Sequence, residues 1–74
     1  MNPARFQTIA DLIGKRIKAR RTELWMTQAE LAEGAHVTEG FVAEVERGGI
    51  IPSMGASTRM AEALGCSLES LAGG

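Results

Sequence analysis

Apolar residues recur along the first third of the chain at steps of three and four, at Ile9, Leu12, Ile13, Ile17 and Leu24, with lysines and arginines filling the positions between. That spacing predicts an amphipathic helix from near Thr8 to Leu24, its basic residues gathered toward the C-terminal half where they suit the helix dipole. Thr27 followed by Glu30 is a capping box and opens a second helix, buried along Leu31 and Ala32 and weakened within two turns by Gly34. Thr38 is the next N-cap, and Phe41, Val42 and Val45 mark a third helix from about Glu39 to Arg47 that stops at Gly48. After the loop Gly49-Ile50-Ile51-Pro52, Ser53 can cap a fourth helix, clearest from Arg59 to Leu64 with Met60 and Leu64 on one stripe. Ser67, Glu69 and Ser70 open a last turn with Leu68 and Leu71 inward, and Gly73-Gly74 ends in a way that suggests fraying. The pattern is all-α, with no strand, linker or repeat.

Seventy-four residues, 45% of them apolar and 23% charged, make one globular domain with a small core. Association with a second copy would help so small a core, so self-association is expected. Cys66 is the only cysteine and His36 the only histidine, which excludes an internal disulfide and any metal site built from several of them. No apolar run approaches the roughly 18 residues of a membrane span, and the N-terminus lacks a secretory pattern. A cytoplasmic location is expected. Net charge is only −1, yet residues 1–23 hold six basic side chains against two acidic ones, and residues 24–74 hold two against seven. The basic end can meet phosphate or can simply be a solvated helix face.

Taken in order, Ile13 to Arg21, then Met26-Thr27-Gln28-Ala29-Glu30-Leu31-Ala32-Glu33, then Val45-Glu46-Arg47-Gly48, then Pro52-Ser53 and Ala61 to Leu68 together resemble the Cro/XRE family of lambda-repressor-like domains. The resemblance covers residues 9–72, leaving 1–8 as an N-terminal extension. It implies a five-helix domain whose second and third helices form a helix-turn-helix between Thr27 and Gly48. The third helix would lie in the major groove of double-stranded DNA, and the chain would act as a symmetric homodimer. Gln28 would bond a phosphate, helped by exposed N–H groups at that helix end, with Thr27, Lys18 and Arg47 as further phosphate contacts. Thr38, Glu39, Gly40, Phe41 and, one turn on, Glu44 would face base edges. Arg21 and Glu46 match a pair that bridges the first and third helices in relatives. Two departures stand out: Glu39, Gly40 and Glu44 replace the Gln, Arg, Ser or Asn usual in relatives, and His36 stands where relatives carry a glycine with positive φ.

Several residues also have plain structural readings. Phe41 can contact a thymine methyl or pack against the second helix, and Arg47 can meet phosphate or sit at its helix C-terminus. Trp25 reads as a cover for the core rather than a stacking platform, since no second aromatic lies nearby in sequence, His36 as a surface turn residue, and Cys66 as a buried hydrophobe. Met60, Leu64, Leu68 and Leu71, too many to cover in so small a domain, read as a dimer interface on the last two helices. The serines have caps or solvent as sufficient explanations, and no catalytic constellation, cofactor site, metal site or small-molecule substrate is evident. The functional expectation is a sequence-specific DNA-binding transcriptional regulator. The alternative is a protein-interaction module that keeps the fold and has lost DNA affinity.

Overall fold

The computed structural model describes residues 4–72, with side chains described from 9 to 71. Five helices follow one another: α1 (Ala4–Glu23), α2 (Gln28–Ala35), α3 (Glu39–Glu46), α4 (Met54–Ala63) and α5 (Leu68–Ala72). All four later starts are set by caps the sequence predicts, the last by Ser67, whose Oγ accepts from the N–H of Ser70 at 3.2 Å. Thr27 Oγ1 accepts from the N–H of Glu30 at 3.0 Å while the Glu30 carboxylate accepts from the N–H of Thr27 at 2.8 Å. Thr38 accepts from Phe41 at 3.1 Å, and Ser53 from Ala56 at 3.2 Å. Each cap satisfies an N–H that the helix itself cannot, a contribution of about 1 kcal/mol.

The helices close around one core. α2 packs against α3 and α4, and α1 packs against α3 and α5. Ile17, Leu31, Val42, Val45, Met60 and Leu64 are wholly buried where they meet. At Gly14 the backbones of α1 and α3 come so close that a Cβ would run into the carbonyl oxygens of Val45 and Glu46.

That close approach explains why hydropathy mislocated the inner face of α1. The buried line is Ala10, Gly14, Ile17 and Arg21, with Ile13 half-buried at its margin, while Ile9, Leu12 and Leu24 are exposed. Only small residues fit where α3 crosses, so the most apolar side chains lie to one side of the contact. The helix also begins at Ala4, inside the expected extension. Residues 1–3 and the expected fraying at Gly73-Gly74 lie outside the described residues.

Gly34 does not end α2. The helix runs through it to Ala35, and a Cβ at Gly34 would stand 3.2 Å from that of Ala63, so the missing side chain serves the packing of α2 on α4. The stop comes at His36, in the left-handed region at φ 57 and ψ 43, the conformation the resemblance implies for this position. α4 begins at its Ser53 cap, earlier than the apolar pattern marks it.

Three side-chain expectations are corrected. Met60 and Leu64 are 0% exposed and Leu71 is 3%, so these three form the monomer core and offer no surface to a second copy; Leu68 alone of that group is partly accessible. The five helices together enclose more apolar surface than chain length suggested. Trp25 is 93% exposed and covers nothing, because the chain turns left-handed there and Met26, one residue on, packs against the core instead. Cys66 is half-buried, packed on the core edge and lining an open groove of about 370 Å³ with Arg16, Arg20 and Leu71.

Candidate nucleic-acid interface

The start of α2 and the end of α3 are tied to α1 through one buried charge cluster. Arg21 approaches Glu46 side-on, Nε to Oε2 at 2.5 Å and Nη2 to Oε1 at 3.0 Å, and its Nη1 donates to the Met26 carbonyl at 2.7 Å. The two side chains are 11% and 4% exposed. The carboxylate hydrogen bond, opposed by burial and aided by the Glu46 charge, holds the Arg21 pKa above its ordinary value. Glu46 Oε1 also accepts from Gln28 Nε2 at 3.0 Å, a link that eighteen residues of separation hid from sequence reasoning. One ion pair thus fixes the start of α2, the end of α3 and the loop before Thr27.

The first turn of α2 keeps donors free for a ligand. The Thr27 cap satisfies Glu30, while the N–H groups of Gln28 and Ala29 have no protein acceptor among the described residues. Gln28 gives Nε2 to Glu46 but has a second hydrogen there, and the Thr27 hydroxyl still has its own proton to donate. A helix N-terminus with such donors suits an anion.

At the start of α3, Thr38, Glu39 and Gly40 are exposed side by side, and nothing stands within 4 Å of where a Cβ on Gly40 would be. Phe41 is half-buried and packs on the core, in line with its structural reading. Glu44 is ion-paired with Arg47 one turn on, so the acidic side chain neutralises the arginine expected at phosphate. The pair is largely exposed, where such contacts contribute about 0–1 kcal/mol, so an arriving phosphate can compete for Arg47.

The basic residues of α1 divide by task. Lys15 and Lys18 are exposed and make no ion pair among the described residues. Arg20 donates Nε to the Leu64 carbonyl at 2.9 Å, closing the C-terminus of α4 and pairing with Glu23 at 3.4 Å. Arg59 does the same for α2 through the Ala35 carbonyl at 2.8 Å. These two structural roles bridge 44 and 24 residues, and nothing local in the sequence announces them.

Two consecutive capped helices, the second held against the first helix by a buried ion pair and opening onto an uncovered, polar first turn, define a DNA-binding helix-turn-helix domain. A family model described as helix-turn-helix matches residues 17–71, and the chain belongs to that family, the Cro/C1-type regulators. It is 38% identical over 61 residues to the immunity repressor protein of Bacillus phage phi105, covering 82% of this chain and 42% of that protein. The chain therefore spans less than half of this relative. Among solved structures it resembles the clp gene regulator ClgR of Corynebacterium glutamicum, with TM-score 0.82 and 28% identity over 85% of this chain and 67% of the other. It also resembles the restriction-modification controller protein C.AhdI of Aeromonas hydrophila, with TM-score 0.81 and 27% identity over 84% and 94%.

Proposed function

We propose that this chain is a transcriptional regulator that binds double-stranded DNA sequence-specifically as a homodimer, with α3 in the major groove. The observation that carries the reading is the uncovered first turn of α2, where Thr27 and Gln28 present donors beside the exposed start of α3. Gln28, Thr27 and Lys18 take phosphates, and Arg47 joins them when it leaves Glu44. Thr38, Glu39 and Glu44 face the bases. Gly40 supplies no reading group, and Phe41 reaches a thymine methyl only with the half of its ring outside the core. A carboxylate at Glu39 accepts from the amino group of cytosine, which commits that position to one base. Two-fold pairing follows from the half-site logic of such domains and from the small core.

Selection from a random duplex library at two salt concentrations tests this directly. The expected result is one enriched, two-fold related sequence whose binding weakens steeply with salt. Glu39→Gln is expected to relax preference at one base pair by about 1–3 kcal/mol, and Glu44→Gln to raise affinity for most sequences alike by releasing Arg47. The acidic character of α3 favours a second reading, an interaction module without DNA affinity. On that reading no sequence is enriched, and Gln28→Ala leaves partner binding unchanged.

A further inference from the structure

We infer that Trp25 is a contact for the DNA sugar-phosphate backbone flanking the half-site, an inference that rests on the DNA-binding reading above. The chain's only tryptophan is 93% exposed. An indole left in water forgoes the burial of some 150–250 Å² that makes such rings useful. Its backbone is also in the left-handed region, at φ 57. That conformation costs a non-glycine residue on the order of 1–3 kcal/mol, and a glycine or asparagine would end α1 with less strain.

The backbone there is fixed whatever side chain it carries. The N–H of Trp25 donates to the Thr22 carbonyl at 3.0 Å and that of Met26 to the Arg21 carbonyl at 3.1 Å, while Arg21 holds the Met26 carbonyl at 2.7 Å. Nothing within the monomer calls for an indole. Position supplies the reason: Trp25 lies two residues before Thr27, which puts its Cα within about 8 Å of the α2 cap. Lys18 is exposed on the same end of α1, and Glu23, the neighbouring acidic residue, is turned to Arg20.

A ligand fitted to this corner is anionic along its length with apolar faces between the charges. The deoxyribose rings and phosphates of a DNA strand have that alternation. The indole face packs on a sugar, and Nε1–H, a donor only, gives its proton to a phosphate oxygen.

Because Trp25 is the only tryptophan and the chain has no tyrosine, its emission reports this corner alone. The experiment titrates the whole chain with a dye-labelled random-sequence duplex at low salt, following dye anisotropy and indole emission together. Both are expected to change with one midpoint. Trp25→Gly, which suits the backbone, is expected to melt no lower than wild type and to bind about ten- to a hundredfold more weakly, the range for loss of a hydrogen bond to a charged acceptor. Trp25→Phe should recover part of the loss. Anisotropy that rises while emission stays flat, with Trp25→Gly binding as wild type does, overturns the inference and leaves the DNA reading standing. Absence of any duplex binding by wild type overturns both. An emission change that follows protein concentration without DNA assigns the indole to a second copy and likewise overturns it.

Discussion

Replacing Glu46 with alanine is expected to remove most of the folding stability of this domain. Arg21 would keep its charge inside the protein with a single acceptor, the Met26 carbonyl, and losing one member of such a pair costs about 3–5 kcal/mol. A domain of this size has a total stability on the order of 5 kcal/mol, so the variant should be largely unfolded or melt far below wild type. The exposed pairs Arg20–Glu23 and Arg47–Glu44, by contrast, are each expected to shift stability by only about 0–1 kcal/mol. Arg21→Ala should also be severe, since Glu46 would retain Gln28 alone. The double variant should lose less than the sum, with a coupling of roughly 0.5–3 kcal/mol. Strictly additive losses in urea would mean the two groups do not meet. The hydrogen bond raises the Arg21 pKa, so the arginine's share of this stability is complete below its unfolded value and declines only as pH climbs through the raised one. It is therefore constant across the neutral range.

Gly14→Ala is expected to destabilise the fold although it improves helix propensity. Alanine in place of glycine inside a helix contributes about 1 kcal/mol in isolation. Here the added methyl meets the carbonyl oxygens of Val45 and Glu46, which belong to the α3 backbone and cannot swing aside as a side-chain tip does. Overfilling a packed contact costs typically about 1–3 kcal/mol, and α1 must move off α3 to relieve it, stretching the Arg21–Glu46 bridge as well. Chemical denaturation should report a net loss of up to about 2 kcal/mol. A gain near the propensity value would show that the helices separate freely.

The elements of this fold were legible because their signals are local. Thr27, Thr38 and Ser53 cap helices through atoms three residues away, and the order of short runs from Ile13 to Leu68 pointed to the family. What sequence could not reveal depends on which backbone comes close to which. Gly14 lies on the inner line of α1 because α3 crosses it, and Ile9 and Leu12, more apolar, lie outside. Met60, Leu64 and Leu71 looked like surplus apolar surface until five helices closed over them. Arg20 read as a charge for a phosphate or a dipole and Arg59 only as the start of a helical stretch, whereas each bonds a carbonyl at the end of a distant helix. At the candidate interface the pairing of Arg21 with Glu46 followed from the resemblance. The additional bond from Gln28 did not, since it joins a proposed phosphate ligand to a structural pair.

The bare position on α3 has an evolutionary consequence. Gly40 touches nothing, so any side chain can be placed there without disturbing the core, and the change from glycine even favours the helix by up to about 1 kcal/mol. Most substitutions that alter function trade against folding. On the reading proposed above the two are uncoupled at this site, and a descendant of this protein could acquire arginine or serine at residue 40 by a single base change. With α3 reading bases as proposed above, it would gain a new base preference while the old scaffold persists, and on that reading the choice of DNA site can diverge faster than the fold that carries it.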